Sequence, residues 1–330
     1  MQKEIVILRP IHFMTPGMLW LWSTIFSALF LGLYEVFKKL SLRDNAVLPV
    51  LFCTPVICTL FFFPFLILSR TAPDCLSGTP LFVGELPAAD HVYVMLKSLI
   101  VLVSWGLAYY AMKHLPITIA SPVKSTQPMW VLVGAFLVFG ERMNLWQWAG
   151  ALIALTCLFF YSRIGEKEGI SFVRNKWVWC LIGSVLTGAV SALYDKYLMG
   201  RFDRMSVQIW YTFYQMLLMV PVMAVYIARE RRHPSSAPVA EGRVAWLGGF
   251  EWRWSILALG LLLCVADFLY FYALSIPDSM ISVVSPIRRS GVIVPFLAGA
   301  VFMKEKHIRE KGVLLLGVLI GILCLYFGTL

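Results

Sequence analysis

The chain is poor in charge. Of its 330 residues, 14% are Asp, Glu, Lys or Arg and 60% are hydrophobic, whereas a soluble domain carries about 25% charged residues. That deficit excludes an ordinary soluble domain and points to a polytopic membrane protein. Acids are scarcer than bases, 18 against 28. The excess does not indicate nucleic acid, because the basic residues gather in loops beside apolar segments, as the positive-inside bias requires. No Cys-x-x-Cys occurs, and the seven cysteines (Cys53, Cys58, Cys75, Cys157, Cys180, Cys264 and Cys324) lie mostly within apolar runs. They are small buried hydrophobes rather than a disulfide or metal framework. Neither His-Glu-x-x-His nor Gly-x-Ser-x-Gly is present, and none of the five histidines falls in the middle of an apolar run. An intramembrane enzyme therefore lacks its usual signatures, and no metal or cofactor is expected. A cleavable leader is not expected either, because the first apolar run, from about Gly17, is too long for a signal-peptide core.

What the chain has instead is long apolar runs, each near the ~20 residues needed to cross a bilayer. Ten are expected, over 17–38, 46–69, 91–112, 117–139, 144–162, 177–199, 205–228, 252–275, 279–303 and 311–329. Two connecting loops are long and polar, Thr71 to Asp90 and Arg229 to Glu251. Their prolines mark them as irregular and aqueous.

The runs repeat. Gly32-Leu33-Tyr34-Glu35 matches Ala192-Leu193-Tyr194-Asp195 at an offset of 160, and Ser121-Pro122-Val123-Lys124 matches Ser285-Pro286-Ile287-Arg288 at an offset of 164. Cys157-Leu158-Phe159-Phe160 matches Cys324-Leu325-Tyr326-Phe327 at 167. In both Ser-Pro segments a glutamate follows the proline by 19 residues, Glu141 in one and Glu305 in the other. Five spans per repeat is an odd number, so the two repeats enter the membrane with opposite topology. The expected fold is an all-α membrane protein of ten transmembrane helices in two inverted five-helix repeats, at 1–165 and 170–330. Inverted repeats of this kind characterise secondary transporters with the substrate at the midplane.

The repeated segments also place cations at depth. Lys124 lies ~10 Å into its span and the Arg288-Arg289 pair ~14 Å into theirs, at 1.5 Å per residue. Each costs roughly 2.5–3.5 kcal/mol on insertion scales unless it meets a counter-charge or water. Lys124 shares a helix face with Ser121, Gln127 and Pro128. Asp267 is the deep acid expected to partner these cations, and one Asp against three cations leaves a surplus of about two positive charges. That surplus favours an anionic ligand, for which arginine's planar fork is suited. The alternative is a structural ion pair, for Lys124 or for whichever arginine turns away. Glu35 and Asp195 sit near span ends beside Lys38, Lys39 and Lys196. Interfacial ion pairs are their expected role, with a coupling-ion site as the second possibility. Tyr34 and Tyr194 are weaker candidates to line a cavity. Pro122, Pro128, Pro286, Pro295 and Gly291 interrupt the cation-bearing helices and permit bending.

With ten spans, a five-plus-five repeat and a Glu after each Ser-Pro span (Gly140-Glu141 and Lys304-Glu305), the chain resembles the EamA family of the drug/metabolite transporter superfamily over nearly its whole length. The resemblance implies two EamA-like five-helix repeats and transport by alternating access. A narrower resemblance is to the triose-phosphate translocator branch, which implies phosphate binding at Lys124 and at Arg288-Arg289. The rest of that branch's substrate pocket has no recognisable counterpart.

The function expected is secondary transport of a small organic anion, a phosphate ester or carboxylate metabolite, with exchange of one anion for another as one mode. A flippase for a lipid-linked phosphate or sugar is the alternative, and an intramembrane enzyme or a structural scaffold the alternatives of another class. The expected partners are that anion and the lipid bilayer, with no nucleic acid; monomer and homodimer both stay open. A bacterial inner membrane is the expected location. Loops after the odd-numbered spans hold 17 Lys and Arg and the opposite side 6, which places both termini outside. The family resemblance implies termini inside.

Overall fold

The computed structural model describes residues 16–139, 144–232, 244–276 and 281–327. Glu141 and Arg142, and residues 233–243 of the second long loop, lie outside them. Among the described residues the chain is helical, with no strand beyond an isolated bridge between Val244 and Phe250. The helices are α1 (Pro16–Leu42), α2 (Val47–Thr71), α3 (His91–His114), α4 (Ile117–Ser125), α5 (Gln127–Phe139), α6 (Leu145–Lys167), α7 (Lys176–Met199), α8 (Arg204–Arg232), α9 (Trp254–Ser275), α10 (Ile281–Ser290), α11 (Ile293–Val301) and α12 (Ile308–Phe327). Seven of these segments are long and apolar enough to cross a membrane. Their packing is that of a membrane protein. Leu60, Leu152, Leu217 and Ile320 are exposed on outer faces, while Lys38, Lys97, Gln215 and Lys311 are buried within. An apolar exterior around a polar interior is stable only in lipid. The chain is an integral multi-pass membrane protein.

Two predicted spans are each broken in two. The segment 117–139 divides into α4 and α5 at Thr126, and 279–303 into α10 and α11 around Gly291. Proline lacks the N–H that would close the next turn, so at Pro128 and Pro295 the regular i to i−4 ladder is interrupted, and the Gly291 carbonyl accepts from the Val294 amide instead, at 3.1 Å. Neighbouring hydroxyls bond the carbonyls beside the breaks: Ser125 Oγ donates to the Pro122 carbonyl and Thr126 Oγ1 to that of Val123, both at 2.7 Å, and Ser290 Oγ to that of Ile287 at 2.7 Å. At the second break α1 crosses so closely that a Cβ on Gly291 would lie 2.1 Å from the Ala28 carbonyl oxygen, and one on Gly32 2.5 Å from the Gly291 carbonyl oxygen. Only glycine permits that approach. Because α4 and α10 end here, Lys124, Arg288 and Arg289 fall in last turns, where the helix dipole favours a cation.

One end of the bundle is tied by side chains that cap the turn between α3 and α4. Lys39 of α1 donates to the carbonyls of Met112 and Leu115 at 2.8 and 2.5 Å. Glu305, between α11 and α12, accepts from the Ile117 and Thr118 amides at 2.8 and 3.0 Å and from the Thr118 hydroxyl. These are the orphan groups of a helix end and a helix start, satisfied by charged partners. Lys311 of α12 completes the clamp, reaching Thr118 Oγ1 at 2.9 Å and Glu168 at 2.8 Å. Lys38 and Lys311, counted above as loop cations, are 1% and 0% exposed. Both correct the loop count, whose excess survives without them. The physical reason for the first is that α1 runs on to Leu42, four residues past its expected end. Glu305, which follows its own span, caps a helix start distant in sequence.

Orientation has a direct handle. Cys75, in the loop after α2, is the exposed cysteine, whereas the other six are buried or partly buried. The basic-residue count predicts that Cys75 faces outward. A membrane-impermeant maleimide should then label intact cells, and Cys75→Ser should abolish the signal; labelling only after lysis would place the termini inside.

Candidate functional site

At the level of the two helix breaks the bundle encloses a cavity of about 130 Å³, walled by α1, α3, α4, α7, α8, α9 and α10. Five cations line it, Lys38, Lys97, Lys124, Arg288 and Arg289, against three carboxylates, Glu35, Asp195 and Asp267. The formal surplus is two positive charges. A smaller neighbouring space of about 30 Å³ lies between α1, α4 and α10, lined by Glu35, Ser121, Lys124, Arg288 and Arg289.

The ions form three groups. Glu35 joins Lys124 and Lys38, the latter at 2.7 Å. Lys38 is also held over the Tyr34 and Tyr109 rings, at 4.6 and 5.3 Å from their centroids. Asp195 of α7 pairs with Lys97 of α3, whose ammonium lies 5.0 Å from the Tyr211 ring centroid and 5.2 Å from that of Phe271. Asp267 of α9 pairs with Arg288 and accepts a 2.5 Å hydrogen bond from the Tyr211 hydroxyl. The Arg288 guanidinium stacks on Tyr270 at 3.9 Å. Aromatic faces beside Lys38, Lys97 and Arg288 offset part of the lost hydration.

Three polar groups remain open. Arg289 lines both spaces and makes no ion pair or hydrogen bond among the described residues. Ser121 Oγ and Arg288 Nε are buried and lack hydrogen-bond partners. In native interiors such groups are rare and call for a ligand or water. All three sit around the smaller space, and together they offer a hydroxyl and guanidinium N–H donors to an oxyanion.

Of the residues singled out in the sequence, Lys124, Arg288, Arg289, Gln127, Tyr34, Glu35, Asp195 and Asp267 line the main cavity, and Ser121 lines its neighbour. Gln127 rests on α7, where a Cβ on Gly188 would come within 2.9 Å of its Oε1. Three expectations need correction. Glu35 and Asp195 are not exposed at span ends: they are 8% and 7% exposed and face the cavity, where each is paired with a buried lysine. Asp267 is therefore not the sole deep acid, and Lys124 pairs with Glu35 rather than with it. Tyr194 turns away from the cavity, donating to the Tyr93 carbonyl at 3.1 Å and stacking on Tyr197.

Lys38, Lys97, Tyr109, Tyr211 and Tyr270 are cavity residues that sequence reasoning did not select. Lys97 had a readable signal, a lone lysine six residues into an apolar run. Lys38 had another, its i+3 spacing from Glu35. The tyrosines had none, since aromatic residues in membrane helices more often pack or face lipid.

Residues 16–163 match the model of the EamA-like transporter family. No curated protein matches the chain. A solved crystal structure, described only as that of a protein, is similar with a TM-score of 0.55 over 93% of this chain and 97% of its own, at 14% identity. At that identity the likeness speaks for the fold alone.

The ion groups predict a sharp contrast between two variants. Asp267→Asn leaves Arg288 without a carboxylate in a buried site, a loss of about 3–5 kcal/mol. Its melting temperature in detergent should fall by many degrees. Arg289→Gln removes a cation that has no partner, and should leave the melting temperature equal to wild type or above it.

Proposed function

We propose that the protein is a secondary transporter of a small organic anion and not an enzyme, a reading supported by the match of residues 16–163 to the model of the EamA-like transporter family. The observation that carries this is the cavity's charge: five cations against three carboxylates inside the bundle. A self-neutralised network would leave nothing for a ligand to do. A surplus of two positive charges in a low-dielectric site is costly when empty, and an anion relieves it. Arg289, Ser121 Oγ and Arg288 Nε offer the contacts, with Lys124 and Lys38 adding a net positive charge through Glu35. Phosphate esters and dicarboxylates fit a surplus of two better than monoanions do, which supports the resemblance to the triose-phosphate translocator branch at Lys124 and Arg288-Arg289.

The architecture belonging to this function is ten spans in two inverted five-helix repeats, 1–165 and 170–330, counting the broken pairs α4–α5 and α10–α11 as one span each. Reciprocal packing supports it. The first helix of each repeat lies along the third helix of the other, α1 on α9 and α7 on α3, and the last helices α6 and α12 pack together. Alternating access then moves the repeats about the cavity, with the clamp on the α3–α4 turn holding one end shut. A bacterial inner membrane is the proposed location. An empty carrier with uncompensated charge is costly to close, so exchange of one anion for another is the expected mode.

The test is counterflow of labelled phosphate esters and dicarboxylates in proteoliposomes. Lys124→Gln and Arg289→Gln should each abolish uptake while melting near wild type, because Glu35 keeps Lys38 when Lys124 is lost. Full transport by Lys124→Gln and by both single arginine variants would make these cations structural and end the anion reading.

A further inference from the structure

The two repeats use the same charge positions differently. Glu35 and Asp195 align at an offset of 160, Lys124 and Arg288 at 164. In the first repeat these positions are joined, Glu35 to Lys124. In the second they are not: Asp195 is held by Lys97 and Arg288 by Asp267. Both captors come from the third helices, α3 and α9, and neither has a charged counterpart in the other repeat. The position matching Asp267 is roughly Gly106, and at the same offset the one matching Lys97 is roughly Ala258.

We propose that Asp195 exchanges partners during transport, leaving Lys97 to close on Arg288, while Lys97 and Asp267 pair with each other. This rests on the transport reading above. Alternating access in carriers built from inverted repeats moves one repeat against the other about the site, and the symmetric counterpart of the present state has the arrangements of the two repeats interchanged. The joined pair now seen in the first repeat then appears in the second as Asp195–Arg288. Breaking a buried ion pair outright is strongly destabilising, so any such move must leave every charge partnered. This quartet satisfies that condition, having two pairs before the exchange and two after it. Lys97 and Asp267 are already neighbours across Tyr211, whose ring lies 5.0 Å from the ammonium and whose hydroxyl bonds the carboxylate. Arg288 holds a donor in reserve, its buried Nε without a partner. Lys97 and Asp267 are thus positioning residues that hold the second repeat in its unjoined arrangement.

A double-mutant cycle on the detergent-purified protein, without ligand, tests the exchange. Lys97→Met strands Asp195, and Asp267→Asn strands Arg288, so each single variant should melt well below wild type. If Asp195 and Arg288 can meet, Lys97→Met/Asp267→Asn removes both captors, lets them pair, and melts above either single. A fixed network would instead leave two unpaired buried charges, and the double would melt at or below the sum of the single losses. Movement is read separately, with spin labels replacing the exposed His114 and Lys306 beside the clamp. The double should lengthen that distance. Lys97→Met/Asp195→Leu, which keeps Arg288 on Asp267, should leave it as in wild type. Additive melting losses, or equal distances in the two doubles, overturn the exchange. Neither readout needs a substrate, so failure here is distinct from failure of counterflow by the wild-type protein.

Discussion

The structure depends on one constraint: a charge inside the bilayer must find a partner or a polar cavity. Five cations and three carboxylates meet between α1, α3, α4, α7, α9 and α10. Their positions follow from how the helices are built. Prolines and glycine break two spans at mid-depth, the broken ends place Lys124, Arg288 and Arg289 in last turns, and the dipoles of those turns hold cations well. Aromatic faces complete the lining, Tyr34 and Tyr109 under Lys38, Tyr211 and Phe271 under Lys97, and Tyr270 under Arg288. The cavity is therefore a product of backbone breaks and charge together, not of a dedicated loop.

Part of this was legible in the residues. The Ser-Pro segments at Ser121 and Ser285, each carrying a cation two residues after the proline, marked both breaks and the site between them. Glu35 and Asp195 were visible as a repeated acid, yet their burial was not legible, because it comes from lysines on other turns and helices, Lys38 and Lys124 for Glu35 and Lys97 for Asp195. Partner choice was not legible at all. Whether Lys124 meets Glu35 or Asp267 depends on how α1 and α9 rotate and cross α4, which is set by packing such as the Gly32–Gly291 approach. The repeat even misleads here, since matched positions such as Tyr34 and Tyr194 have unlike surroundings.

The same division appears at the clamped end. Glu305 reads in the sequence as an ordinary charge after a span, and nothing near it marks a partner 187 or 188 residues away. Its work is to satisfy the start of α4, while Lys39 satisfies the end of α3. The turn is thus capped by three charged side chains, from α1, α12 and the loop before α12. The cavity and the capped turn share α4, with Thr118 at the turn and Lys124 lining the cavity nearly two turns on.

The central claim is that the cavity awaits negative charge. It is tested most directly by thermal stability of the detergent-purified protein across metabolites of matched size that are dianionic, monoanionic, neutral or cationic, since a specific ligand must stabilise the state it binds. At least one dianion should raise the melting temperature of wild type and fail to do so with Arg289→Gln, while neutral and cationic compounds leave both unchanged. Stabilisation by a cation or neutral compound with none from any anion, or an anion effect undiminished in Arg289→Gln, would contradict the account.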